Sequence, residues 1–370
     1  MKTKEKIINF IKTEVVLVVA TILTIITCFI VPPDKEYLQY FDYSTLICLF
    51  CMLAVVAGLK STNIFELISR KLINLFHTRR GVIYALVFGT FFFDMIVAND
   101  MSLITFLPLT YIVLHSTKND KYLAFTFIMQ TIAANMGGMI TPYGNPQNLY
   151  LYSYYNIETT EFFSILLAQS ITVAVLLWIC CSFIHNEPLK LKRNSKIIIN
   201  KNKLYIYSAL FLLVIFSIFR VIPYWVSLII VVTTILIADK KRFKQVDYAL
   251  IATFCVFFIF SGNIARITVI KDFISQIVVK NTMLAGIISC QFISNVPTAI
   301  FLSKFTSNYR ELLIAVNIGS LGILISSLAS LITLKEFLKH QPKNIWKYLV
   351  MFTIFNTIFL LVLLLITRIV

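Results

Sequence analysis

The sequence predicts an all-α integral membrane protein of two inverted repeats, with about 10–11 membrane helices and two re-entrant hairpins. Three observations predict it. Hydrophobic residues make up 59% of the 370 residues and charged ones only 14%, against about 45–50% and about 25% in soluble domains. The apolar residues come in long runs, such as 14–31, 204–219 and 346–367, close to the roughly 20 residues that cross a bilayer. Polar landmarks interrupt those runs twice, in the same order.

The elements follow from apolar runs and from the Lys and Arg between them. Lys2, Lys4, Lys6 and Lys12 precede the first run, which ends in Val31-Pro32-Pro33 without a small-residue cleavage site. An uncleaved first helix with the N-terminus inside is expected. A second helix opens at Asp42-Tyr43 and returns near Gly58. Residues 60–80 alternate basic and apolar side chains at helical spacing and are expected along the inner interface. Residues 81–114 read as a hairpin that enters and leaves on the inner side. The segment 122–151 crosses outward, and 162–184 returns to the most basic loop, 190–203. Two helices follow, turning at 220–224 and ending at Lys240-Lys241-Arg242. Asp247-Tyr248 opens the helix that reaches Gly262. A second hairpin, 282–305, enters from the outer side; 312–334 crosses inward, and the last helix leaves the C-terminus outside. This map puts most of the 33 basic residues on the cytoplasmic side of the cell membrane. Residues 1–203 then form the first repeat with its cytoplasmic linker, and 204–370 a connecting helix with the second.

Several function classes fall away. The net charge of +16 lies in clusters between apolar runs, so nucleic acid is not an expected partner. The seven cysteines lie inside apolar runs without CxxC pairs or His-Cys clusters, so no metal site or disulfide is expected. No catalytic motif or phosphate-binding loop is present, which argues against an enzyme or an ATP-driven pump.

The landmarks carry the positive reading. Ala98-Asn99-Asp100 answers Ser294-Asn295-Val296, and Asn135-Met136-Gly137-Gly138 answers Asn317-Ile318-Gly319-Ser320. Inverted repeats with paired broken helices point to a secondary transporter, because a site between related halves can face either side at similar energy. The first member of each pair reads as a hairpin tip. There Asn or Ser is expected to cap a helix N-terminus, with Pro297 in a first turn, and the positive helix end attracts an anion. The stretch 137–148, rich in Gly and Pro, cannot be one continuous helix. Its free carbonyls are expected to suit a cation such as Na⁺. Of the 17 carboxylates, only Asp94 and Asp100 lie within a long apolar run, where a charge costs at least about 2.5–3.5 kcal/mol and is usually functional.

These residues resemble the ion transporter superfamily, which includes divalent anion–sodium symporters, citrate transporters and arsenite efflux pumps. The resemblance covers most of the chain and is strongest at Asn99-Asp100, at 137–148 and at 294–298. It implies substrate contacts from Asn99, Asp100, Thr141, Pro142, Ser294, Asn295 and Thr298. It implies a first ion site at Asn99 completed by Gly137, Gly138, Thr141 and Pro142, and a second at Asn295 completed by Asn317, Gly319 and Ser320; Asp100 and Asn145 of this chain are further ion-binding candidates. The first tip lacks the Ser and Thr of the symporters, and its Asn-Asp is more like the arsenite pumps. The expected function is secondary active transport of a small carboxylate-like anion, coupled to Na⁺ or H⁺ and without a cofactor. The alternatives are arsenite-type oxyanion efflux with proton exchange, or a passive anion channel. The family's elevator motion and homodimer are further implications of the resemblance.

Overall fold

The computed structural model describes residues 14–189 and 197–369. Lys2, Lys4, Lys6 and Lys12, and the basic stretch 190–196, lie outside the described residues. Every regular element among the described residues is helical, apart from one isolated bridge between Thr78 and Pro188.

The first half runs α1 (Val15–Ile30), α2 (Tyr43–Lys60), α3 (Ile64–Asn74), α4 (Arg79–Asp94), α5 (Asn99–Ser116), α6 (Leu123–Gly137), α7 (Pro146–Tyr154) and α8 (Thr159–Ser182). The second runs α9 (Lys201–Ile218), α10 (Tyr224–Asp239), α11 (Tyr248–Arg266), α12 (Thr268–Lys280), α13 (Thr282–Ile293), α14 (Asn295–Leu302), α15 (Tyr309–Ile318), α16 (Leu328–His340) and α17 (Ile345–Ile369). Local chemistry sets many of the starts. Asp42 accepts from the Thr45 N–H at 3.1 Å and Asp247 from the Leu250 N–H at 3.0 Å, so the two Asp-Tyr landmarks are N-caps. Thr78, Asn281, Asn308 and Ser327 cap α4, α13, α15 and α16 in the same way.

Large apolar side chains cover the outside of the helices. Ile22, Trp178, Leu212, Ile354 and Leu365 are all about half or more exposed, which water would penalise and lipid does not. Among the described residues, six helices are long and apolar enough to cross a membrane, and α12 with α13, bent by 116° at Asn281, would make a seventh. The chain is thus an all-α integral membrane protein. This count is below the expected about 10–11 because breaks cut several apolar runs into helices too short to span alone.

Each break supplies its own hydrogen bonds. After α6 the chain passes through a short 3₁₀ turn (Gly138–Ile140) and a bend before α7. The Asn148 amide donates to the carbonyls of Gly138, Met139 and Thr141 at 3.3, 3.0 and 3.4 Å. After α15 the chain unwinds to α16, and there Gln291 of α13 serves the same end. Its amide donates to the carbonyls of Gly319 and Leu321 at 2.9 and 3.1 Å, and its Oε1 accepts from the Ile323 N–H at 3.0 Å. Gly322, with φ of +118°, is where a Cβ would strike that Oε1 at 2.3 Å.

The two broken helices also clasp each other. Asn135 of the first donates to the Ser327 hydroxyl at 2.9 Å, and Asn317 of the second donates to Asn148 Oδ1 at 2.7 Å. Thr131 donates to Thr333 at 2.8 Å nearby. Around this centre α4 lies on α6, and α13 on α15, where Gly286 meets the Ala315 methyl. Farther out α2 lies against α9 and α10, and α1 against α11, joined by Asn263 donating to Thr27 Oγ1 at 3.1 Å.

Gln291→Leu conserves volume but strips the second break of its donor. Buried carbonyls left unpaired cost about 1–3 kcal/mol, so the thermal midpoint of the purified protein should fall by several degrees. An unchanged midpoint would show that those carbonyls find other partners.

Candidate functional site

The two expected tips exist and converge. The chain between α4 and α5 turns through residues 95–98, and α5 then begins at Asn99. Between α13 and α14 there is a single residue, Ser294. Asn99 and Asp100 from the first tip line one cavity with Ser294 and Asn295 from the second. Its empty space, mouth included, is about 700 Å³.

The tips differ in detail from the expected capping. Neither α5 nor α14 has a side-chain cap: their N-cap residues are Ala98 and Ser294, and each Asn is the first helical residue. The physical reason is position. An Asn at the first helical position sits one residue too late for the usual cap bond to the N–H two or three residues beyond the N-cap. The opening turn of α5 therefore faces the cavity without a side-chain acceptor over it. Asn295 Oδ1 accepts from the Val296 N–H at 3.0 Å and from the Ser294 hydroxyl at 3.3 Å, which turns its NH₂ away from those groups. Pro297 does lie in the first turn of α14. Ser294 has φ 72° and ψ 161°, a region that costs a non-glycine residue about 1–3 kcal/mol and tends to persist at functional sites.

The expected free carbonyls of the first break are not free. Asn148 occupies those of Gly138, Met139 and Thr141, and Asn145 donates to the Asn135 carbonyl at 3.0 Å. The reason is that a bilayer provides no water to hold them. The acceptors left over are side-chain oxygens. Asp94 is fully buried; its Oδ1 accepts from the Ser102 hydroxyl at 2.8 Å, and its Oδ2 has no partner. Asn145 Oδ1 is buried and unpartnered too. Both pack against Gly138, where a Cβ would lie 2.3 Å from Asp94 Oδ2 and 2.7 Å from Asn145 Oδ1, so only glycine lets the two oxygens come this close to the backbone. Two buried acceptors side by side without a donor can share a proton or a cation between them.

The remaining expected residues divide by role. Thr141 donates to the Met95 carbonyl at 3.0 Å, tying the first break to the first turn, and Pro142 follows it. Neither lines the cavity, and nor does Thr298, whose hydroxyl donates to the Ser294 carbonyl at 2.7 Å. Gly137 admits the Phe91 carbonyl, which a Cβ would meet at 2.2 Å. Asn317 accepts from the Gln147 amide at 3.3 Å as well as donating to Asn148. Gly319 fits beside Cys290, and Ser320 donates to the Asn317 carbonyl at 2.6 Å. Sequence reasoning missed Glu14, Gln147 and Asp247, all of which line the cavity. Asp247 was legible only as a helix opener and Glu14 only as the edge of an apolar run. Among the described residues, the cavity wall contains Glu14, Asp100 and Asp247 but no Lys or Arg.

An all-α membrane protein with broken helices meeting at a buried polar cavity, and with transporters among its relatives, is a membrane transporter. The chain matches the citrate transporter family model over residues 7–309 and belongs to that family. It is 32% identical over 306 residues to the uncharacterized transporter MJ0456 of Methanocaldococcus jannaschii, covering 81% of this chain and 82% of that one. It is 25% identical over 328 residues to the inner membrane protein YbiR of Escherichia coli K12, covering 86% of each. The protein is a transporter, not an enzyme.

Asn99→Ala and Asn295→Ala should each abolish uptake while leaving the melting profile intact; normal uptake in either would remove the tips from the site. Ser294→Gly relieves the backbone and should raise stability by about 1 kcal/mol. Loss of stability in Ser294→Gly would mean the hydroxyl matters more than the strain.

Proposed function

We propose that the protein is a secondary active transporter of a small carboxylate anion across the cell membrane, coupled to Na⁺ or H⁺ and working by alternating access. One observation carries this reading: Asn99 and Asn295, from two separate tips, meet at one cavity that has three carboxylates and, among the described residues, no basic side chain. Carboxamide donors and the opening turn of α5 suit carboxylate oxygens. Asp100, Glu14 and Asp247 repel a bare anion, strongly so where the dielectric is low. The anion therefore enters with neutralising cations or protons, and that requirement is the physical content of coupling.

The match to a citrate transporter family supports the carboxylate. The matching Asp-Tyr caps, and the reciprocal Asn135–Ser327 and Asn317–Asn148 bonds, support inverted repeats over 1–203 and 204–370 with re-entrant hairpins. In our reading the N-terminus lies inside, the C-terminus outside, and the protein works as a homodimer. The unpartnered Asp94 Oδ2 and Asn145 Oδ1 are the ligands we assign to the coupling ion. A Na⁺ there satisfies both oxygens, and so does a proton on Asp94 donated to Asn145.

Proteoliposomes test this with labelled citrate and imposed gradients. The expected result is accumulation above equilibrium under a Na⁺ or H⁺ gradient. Equilibration without accumulation would make the protein a channel, and absence of any gradient-driven carboxylate flux would end the transport reading. Asp94→Asn puts a donor where the ion would sit, so it should bind substrate yet lose gradient-driven accumulation. Wild-type accumulation with the same ion dependence would remove Asp94 from coupling.

A further inference from the structure

Two joints in the molecule have the same construction and different contents. In the first half, the bend from α3 into α4 meets the start of α6 and the segment just after α8. Arg79, which opens α4, fills that joint from within. Its guanidinium pairs with the Glu187 carboxylate and donates to the Tyr122 hydroxyl at 3.2 Å. Its backbone N–H donates to the Glu187 carbonyl at 2.8 Å, and Arg80 Nε donates to the Ile184 carbonyl at 2.7 Å. The joint holds a cation, and the chain supplies the anion.

In the second half, the 116° bend from α12 into α13 meets the start of α15 and the end of α17. This joint borders an open cleft, with about 900 Å³ of empty space, mouth included, lined by Lys280, Arg310, Glu311 and Arg368. Glu311 is the only carboxylate among its lining residues, and it already accepts from the Met283 N–H at 3.1 Å. Arg310 reaches Glu161 at 3.2 Å. Among the described residues, Lys280 and Arg368 pair with no carboxylate. The joint thus holds an excess of positive charge and open volume where its counterpart holds a matched pair.

The rest of the wall says which anion fits. Val279, Leu284 and Leu364 line the same cavity, and Val279 is 69% exposed on the lipid-facing surface. A ligand held here has a multiply charged head among Lys and Arg and an apolar part beside those side chains. Tetrahedral phosphoryl oxygens match an arginine fork with a lysine point charge, and basic pockets between helices at a membrane interface take lipid headgroups. We propose that Lys280, Arg310 and Arg368 form a binding site for a phosphoryl anion at the α12–α13 joint, standing in for the Glu187 of the first half. An anionic phospholipid headgroup and inorganic phosphate share this chemistry. The proposal is independent of what the central cavity carries.

The test is binding by thermal unfolding of the purified full chain in detergent, with phosphatidylglycerol, phosphatidylcholine or inorganic phosphate added. Phosphatidylglycerol should raise the midpoint and phosphatidylcholine should not. Lys280→Gln with Arg368→Gln should weaken phosphatidylglycerol binding about thirtyfold, at about one charge's surface attraction per residue. Lys343→Gln with Lys347→Gln, at the other end of α17, removes the same charge elsewhere and should leave binding unchanged. Stabilisation by inorganic phosphate alone, lost in the first variant, supports the site with a free anion as its occupant. Equal response to both lipids with none to phosphate, an unaffected first variant, or equal loss in the Lys343/Lys347 control overturns it. If the double variant does not fold, Lys280→Gln and Arg368→Gln singly carry the same comparison.

Discussion

A peptide group inside a bilayer must find its hydrogen bond within the protein, and this constraint governs the whole molecule. Two carboxamides meet it. Asn148 gathers three carbonyls of the first break, and Gln291 gathers two of the second while holding an N–H with its other end. Without them the breaks would be intolerable at that depth, and the polar cavity beside them could not exist. The tips become possible for the same reason. A helix start with no side-chain cap needs its opening turn to face protein or a wet cavity, and α5 and α14 begin at one.

From that constraint the electrostatics follow. The cavity wall has three carboxylates and, among the described residues, no Lys or Arg, so its field favours positive charge. Asp94 deepens the same theme one layer behind the tips. One of its oxygens is held by Ser102 and the other is left without a donor beside Asn145 Oδ1. Burying such a group without compensation is costly.

Much of this was legible in the chain. Asn99-Asp100 and Ser294-Asn295 stand out because polar residues inside apolar runs are expensive, and the Gly and Pro of 137–148 forbid a helix through that stretch. The capping geometry was not legible, because Asn at the first helical position and Asn one residue earlier look alike in sequence. The carbonyl partners were hidden for another reason. Asn148 reaches back up to ten residues and Gln291 reaches forward about thirty, and nothing in spacing says which amide will fold over which break. Convergence was the hardest to read. Glu14, Asp100 and Asp247 meet only because α1, α5 and α11 are brought together by contacts such as Asn263 with Thr27.

The clasp between the broken helices has a consequence for cooperativity. The Asn148 amide holds the first break, while its Oδ1 receives Asn317 from the second. One planar side chain is therefore shared by both halves, and it cannot tilt toward one set of partners without loosening the other. A change in occupancy that reshapes the Gly138 turn is transmitted to Asn317 through two hydrogen bonds and no intervening flexible group. The halves are mechanically geared at this amide, so a shift of the first break and a shift of Asn317 are not independent of each other.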